Sequence, residues 1–437
     1  MKSYSNIFKN GLLMLIMSII FLPLLQNKLN LWEIKPLKGA IQNEEEGTFS
    51  KNNWFSGTFQ EMQEKHLNAM FGFRNDLVRL NNQISFSLFN KAKANDVIIG
   101  KENYLYEKSY IDAYVGNDFL GEDSIANTIK QLKFISDTLS KLNKHLIIVL
   151  APGKASFYPE YIPDKYLPVL KNTNYKSFSE VVKRNSLHVI DFNKWFIENK
   201  YKSKYPLYPK NGIHWSNYAV ALVIDSIIKK IETTRKIDLP NLYFNNVKIE
   251  KPKGDDNDIA DGMNLMVELK GYDLAYPSII IEDGLNKTKP SVLTISDSYY
   301  WGIYNMGISK CFSNDHFWYY NKLVYPETFK QELQAEELDL ELEIKNHDVI
   351  IIMATEANLK NFGWGIVENL NQLFKGTYKN NQQQQKLNKQ VTQYIDLIKK
   401  DTQWLSDTKI RAKEKNITID SMLVLEALWQ IKNQKNN

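Results

Sequence analysis

Leu146-Ile147-Ile148-Val149-Leu150 carries no polar residue on either face. A strand with one wet face alternates, so an unbroken apolar run of this length marks a strand covered on both sides. Asp348 to Met353 holds a similar run, Ser291 to Ser296 is rich in β-branched residues, and His188-Val189-Ile190-Asp191 is a shorter strand. Helical patterns separate them. Ile125, Ile129, Leu132, Ile135 and Leu139 are in register over 122–143, and Ala221, Ile224, Ile227 and Ile228 over 217–232. Strands alternating with helices predict an α/β fold with a mainly parallel sheet. Three runs meet polar groups just past their carboxyl ends: Lys154, Ser298 and Glu356. In open α/β sheets, ligand-binding groups gather along that edge.

The flanks predict further organisation. Lys2 and Lys9 bracket the start of an apolar stretch, and Gly11 to Leu25 carries no charge. Ile7 to Gln26 approaches the roughly 20 residues that a spanning helix needs. No small-residue cleavage site follows it. The expected order is a signal anchor over 1–30, a polar tether over 31–52 containing Glu44-Glu45-Glu46, a large domain over 53–376, and a C-terminal helical element over 386–437. A low-complexity polar linker, Asn380 to Gln385, precedes that last element. Lysines ahead of the apolar stretch favour an N-terminus inside the cell. The domain is then expected on the periplasmic side of the cytoplasmic membrane, held by a single pass. Within it, two amphipathic helices run through Phe59–Phe71 and Leu77–Leu88, and a hairpin is expected around Gly100. Residues 240–290 read as a less regular excursion. Net charge is only +5, spread along 437 residues, which gives no footprint for a nucleic-acid partner. The single cysteine, Cys311, allows no internal disulfide and reads as a buried thiol.

Candidate chemistry narrows quickly. The chain has no His-Glu-x-x-His, no His-x-His, no cysteine pair and no Gly-rich phosphate loop, so neither a metal nor a nucleotide cofactor is expected. The acidic turn Asp255–Asp261 lacks calcium-loop spacing and reads as a solvated loop. What is left is Ser298 at a strand end, with His214 in Asn211-Gly212-Ile213-His214-Trp215-Ser216. A serine hydroxyl is a weak nucleophile until a base takes its proton, and imidazole suits that near neutral pH. A strand-to-helix turn also offers free backbone N–H groups to an oxyanion.

Several short blocks occur in one order: Trp54-Phe55-x-Gly57, Phe71-Gly72-Phe73-Arg74, Ile99-Gly100-Lys101-x-x-x-Leu105-Tyr106, Ala151-Pro152-x-Lys154, Ile213-His214-Trp215-Ser216, Asp297-Ser298 and Glu356. In that order they resemble the SGNH-hydrolase-like domain of the alginate O-acetyltransferase proteins AlgJ and AlgX, over about 50–370. The resemblance implies a three-layer SGNH-hydrolase-like fold and acetyl transfer onto an exported polysaccharide. A membrane-bound O-acyltransferase would supply the acyl group. It implies Ser298 as nucleophile, His214 as base and Asp297 as a mainly structural turn residue. Two positions depart from the pattern: Ser296 replaces the glycine of Gly-Asp-Ser, and Gly212 stands where the family has the orienting aspartate. Asp191 and Glu356 are the named substitutes for that acid. Lys154 is expected either to bind an anionic substrate or to support the site. Trp215, Tyr299, Tyr300 and Trp301 are candidates to stack on sugar rings, with core packing as the other explanation. Two other functions fit the same residues: a carbohydrate O-acetylesterase, and a non-catalytic glycan-binding or assembly protein on the same scaffold.

Overall fold

The computed structural model describes residues 2–39, 47–167, 171–378, 382–415 and 417–434. Its strands in chain order are β1 (Val97–Ile99), β2 (Leu105–Glu107), β3 (His145–Ala151), β4 (Val189–Asp191), β5 (Asn241–Glu250), β6 (Leu274–Glu282), β7 (Ser291–Ser296), β8 (Asn314–Tyr319), β9 (Leu323–Tyr325) and β10 (Val349–Thr355). The central sheet has the order β4-β3-β10-β7-β8-β9. All its pairings are parallel except β8 with β9. β1 and β2 form the expected hairpin.

The apolar runs are apolar because both sheet faces are covered. Ile147, Val149, Ile351 and Met353 join one core, with Val223, Ile224 and Ile227 of the helix Asn217–Arg235. Leu146, Ile148, Leu150, Ile350 and Ile352 join the other, with Ile125, Ile129 and Leu132 of the helix Glu122–Lys141. The result is helix, sheet, helix. Burying each such side chain contributes roughly 1.5–3 kcal/mol relative to leaving it in water. Register also sets function: Thr355 of β10 lies opposite Ala151 of β3, and Ser296 of β7 opposite Met353. Three strand ends, and the loops after them, therefore meet at one edge.

Two sequence expectations need correction. The irregular excursion over 240–290 contains a long antiparallel ribbon, β5 with β6. β5 is largely exposed and β6 only partly buried, so no continuous buried stripe marked them in the sequence. The polar linker is also shorter than expected, because Gln382–Lys400 is a helix. Glutamine is a good helix former, and a glutamine run does not by itself break one. Asn380 and Asn381 lie outside the described residues, as do Glu44, Glu45 and Glu46. Thr402–Glu414 and Ile419–Gln434 follow as further helices, joined where Trp404 Nε1 and Thr408 Oγ1 both donate to Glu426 Oε2, each at 2.9 Å. At the other end, Lys2–Leu29 is one helix, and its Ile7–Leu29 segment is long and apolar enough to cross a membrane.

Candidate active site

β7 ends at Ser296, and Asp297 and Ser298 make the turn into the helix Tyr300–Asn305. Asp297 is fully buried and ties two strand ends together. Its Oδ2 accepts from Thr355 N, Thr355 Oγ1 and Asn358 Nδ2, each at 2.8 Å, and its Oδ1 accepts from Tyr299 N at 3.2 Å. Burial pushes its carboxyl up from the usual range, against the pull of those donors. This staple holds the turn at the sheet edge and leaves the neighbouring Ser298 partly exposed.

His214 arrives from the other side, on the loop that precedes the helix Asn217–Arg235. Ser216 caps that helix through Ala219 N at 3.2 Å. Tyr299 Oη donates to Ile213 O at 2.5 Å, and Lys154 Nζ donates to Lys210 O at 2.8 Å and Gly212 O at 2.5 Å. Held this way, His214 Nε2 lies 2.9 Å from Ser298 Oγ. Its other nitrogen, Nδ1, lies 2.7 Å from Asp258 Oδ2. Asp258 Oδ1 in turn accepts from Ile213 N at 2.9 Å and from Ile259 N at 2.6 Å. A carboxylate that accepts the Nδ1 proton fixes the tautomer whose Nε2 can accept from a serine hydroxyl. Burial is the largest influence on the imidazole and pushes its pKa down. The hydrogen bond and charge of Asp258, with Asp255 and Asp297 behind them, outweigh it, and the net shift is upward.

Asp258 comes from the acidic turn that the sequence assigned to solvent, which is corrected here: Asp256 is buried and Asp258 grips His214. Gly212 explains the exchange. A Cβ there would lie 2.4 Å from Asp255 O and 2.8 Å from Asp256 C. The turn occupies the space that an aspartate at 212 would need, and delivers its own carboxylate to the histidine. Gly212→Ala is therefore expected to lower unfolding free energy by about 1–3 kcal/mol, as overpacking does. Urea titration of the variant checks this.

The other expected site residues fall as follows. Asp191 caps the helix Phe192–Asn199 through Lys194 N at 3.0 Å and accepts from Tyr175 Oη at 3.0 Å, so it is not the orienting acid. Glu356 is buried, accepts from Ser156 Oγ at 2.5 Å, and is likewise engaged away from His214. Burial raises its carboxyl to about 7. Lys154 is sealed from solvent, which rules out an exposed anion site. Burial pulls its ammonium down to about 7, against the charges of Asp258 and Glu107, and its donors go to the carbonyls of the His214 loop. Trp215, Tyr299 and Tyr300 are buried, with ring contacts to Phe196, Tyr110 and Phe317 in the core. Trp301 is packed edge-on against Phe317, Tyr319 and Tyr325. The stacking expectation is corrected for Trp215, Tyr299 and Tyr300, which are spent on core packing, while Trp301 is half-buried. Sequence reasoning also missed Tyr320 in the turn between β8 and β9. Its N–H donates to Ser296 O at 2.8 Å, and Ser298 and Asn358 are among the groups that act on its hydroxyl. No periodic signal marks such a turn residue.

Residues 97–270 match the family model for the SGNH hydrolase-like domain of acetyltransferase AlgX. The probable alginate O-acetylase AlgJ of Pseudomonas syringae is 26% identical over 144 residues, covering 33% of this chain and 36% of that protein. Residues 97–270 are thus similar to the SGNH hydrolase-like domain of the AlgX/AlgJ proteins. The AlgJ protein of Pseudomonas putida is 20% identical over 176 residues, 40% of this chain and 44% of that protein. The chain thus spans less than half the length of either curated relative. Among solved structures, the O-acetyltransferase domain of Pseudomonas putida AlgJ has a TM-score of 0.44 at 14% identity, covering 63% of this chain and 99% of that one. Pseudomonas aeruginosa AlgX has a TM-score of 0.42 at 14% identity, covering 62% of this chain and 67% of that one. The matched part of the AlgX-like domain contains Lys154, His214 and Asp258, and ends before Ser298.

A second cluster lies at the opposite, amino-terminal side of the sheet. Ligand atoms of His316, Glu343 and His347 fall within 4.8 Å of one another. They satisfy each other already: His316 Nδ1 lies 2.9 Å from Glu343 Oε2, and His347 Nδ1 donates to Glu343 O at 2.7 Å. His347 Nε2 in turn accepts from Asn314 Nδ2 at 3.2 Å, so the cluster reads as a packed polar network.

Proposed function

We propose that the chain is a serine-dependent O-acetyltransferase that acetylates an exported or cell-surface polysaccharide. The line Ser298 Oγ, His214 Nε2, His214 Nδ1, Asp258 Oδ2, at 2.9 and 2.7 Å, is the observation that carries this reading. The relatives named as alginate O-acetylases support it at the level of the family. In the first half-reaction Ser298 Oγ attacks the acetyl carbonyl of a donor ester while His214 Nε2 takes the hydroxyl proton. The donor's alkoxide leaves with that proton, and acetyl-Ser298 is formed. In the second, a sugar hydroxyl attacks the acetyl group, His214 takes its proton, and Ser298 Oγ departs with the proton returned. Asp258 stabilises the imidazolium in both steps. The oxyanion has two donors at hand: the Tyr320 hydroxyl, and the Ser298 N–H, which has no acceptor among the described residues. Burial pushes the Tyr320 hydroxyl up to about 12, so it stays a protonated donor.

The N-terminal apolar helix is the candidate anchor, with Lys2 and Lys9 on the cytoplasmic side and the AlgX-like domain outside. A membrane-bound O-acyltransferase is the proposed acyl source, as the family resemblance implies. Gly212 and Ser296, the two departures from the family pattern, support a non-catalytic scaffold, and the 2.7 Å approach of Asp258 Oδ2 to His214 Nδ1 counts against it. The test separates the three readings. Full-length protein is given p-nitrophenyl acetate with rising oligosaccharide. Transfer predicts acetylated saccharide whose share of product rises with acceptor. Acetate alone at every acceptor concentration would mean an esterase, and neither product a binding protein.

A further inference from the structure

A cavity of about 340 Å³ opens beside His214, walled by Trp215, Lys253, Asp255, Asp256, Tyr276 and Asn305 among others. That is at the lower end of small-ligand pockets. A larger cleft of about 780 Å³, lined by Trp318, Leu338 and Tyr378, includes neither Ser298 nor His214. The smaller cavity is lined by His214 and by Tyr299, the residue after Ser298, though not by Ser298 itself; the acceptor is placed there, beside the base that takes its proton.

Its charges have one sign in excess. Lys253 is its one lysine, and that ammonium is already ion-paired with Glu250 Oε2 and lies over the Tyr276 ring, 4.4 Å from its centroid. Against it stands Asp255 in the wall, with Asp258 behind His214, while burial pushes the Asp256 carboxyl up to about 7, so its charge is partial near neutral pH. The charges that bear most on His214 are those of Asp258, Asp255 and Asp297, all carboxylates. The wall also holds unpaired polar groups on side chains more than nine-tenths buried. Asp256 Oδ2 has no donor and Trp215 Nε1 no acceptor among the described residues. A hydroxyl or amide can serve both kinds of group.

From this we infer that the acceptor is an uncharged glycan, bound through hydroxyl or N-acyl groups, and that the site disfavours polyuronates. The inference rests on reading Ser298 and His214 as the acyl-transfer pair. A chain with one carboxylate per sugar would bring like charges against Asp255 and Asp258, and such juxtaposition costs several kcal/mol across an interface.

The test is binding rather than turnover, so it is independent of whether Ser298 is acylated. Full-length protein carrying Ser298→Ala, in detergent, is titrated calorimetrically at low ionic strength. The probes are pentamers of β-1,4-glucose, β-1,4-N-acetylglucosamine and β-1,4-mannuronate. At least one neutral pentamer should bind at least about tenfold more tightly than the uronate. Asp255→Lys, at an exposed position, should narrow that gap by about tenfold, and Asp256→Asn should weaken the neutral pentamer by about tenfold. A uronate that binds as tightly as the neutral pentamers, no binding of either neutral pentamer, or a preference indifferent to Asp255→Lys would overturn the inference. Thermal melting of Asp256→Asn identifies any misfolding, and the exposed Asp255→Lys variant decides the matter if that occurs.

Discussion

Asp258→Asn lowers kcat/KM for acetyl-ester cleavage by about 10⁴-fold while the protein stays folded. The magnitude follows from the tautomer. An asparagine can present its amide to Nδ1, which places the imidazole proton on Nε2 and removes the lone pair that Ser298 Oγ–H needs. The pH profile gives a second readout that a merely structural role would not move. In the native protein His214 titrates above the ordinary imidazole value of about 6.5, because Asp258 outweighs burial. Only the neutral imidazole can act as base, so kcat/KM rises with pH and has its midpoint above that value. Without the Asp258 charge, burial is the dominant influence left, and the midpoint of the residual activity moves to lower pH. Stopped-assay rates from acid to mildly alkaline pH, on both proteins, measure the two effects together. A variant with native turnover and an unmoved midpoint would remove Asp258 from the site.

Ser298→Ala has the larger effect. A nucleophile lost from a serine–histidine pair costs about 10⁶-fold in turnover. Ser298 is partly exposed and its Oγ takes part in the contact with His214, so truncation to alanine leaves little strain. The structural staple belongs to the neighbouring Asp297, whose four hydrogen bonds are untouched by the change. The variant should therefore melt within a degree or so of the parent while losing ester cleavage and any acetyl-enzyme burst, since changes away from packing features usually fall within about 0.5 kcal/mol.

How much of this was legible in the sequence follows from what each segment touches. β3, β7 and β10 were visible because both of their faces are buried, and an apolar run records that directly. β5 was not, because water covers most of its side chains, and β6 was not, because its far half alternates only between half-buried and exposed positions. Ser298 and His214 could be picked out as a pair because one sits at a strand end and the other at a helix entry. Asp258 could not. It lies in an acidic turn with no pattern of its own, and its role depends on a close approach to Gly212. The glycine was the available signal: a missing side chain next to a histidine leaves room for another segment's backbone, and the sequence alone does not say which segment fills it. The aromatic residues failed for a related reason. Trp215, Tyr299 and Tyr300 are adjacent to the site along the chain but face the core.

The central claim is a covalent bond between an acetyl group and Ser298. Its most direct test is peptide mass mapping of the full-length protein, quenched in acid within seconds of mixing with p-nitrophenyl acetate. The account predicts one added acetyl group, on the peptide holding Ser298, which accumulates when acceptor is left out, fades when a neutral oligosaccharide is added, and never forms in Ser298→Ala. Turnover that proceeds with no acetyl on that peptide, or with the same acetyl mark in Ser298→Ala, would contradict it.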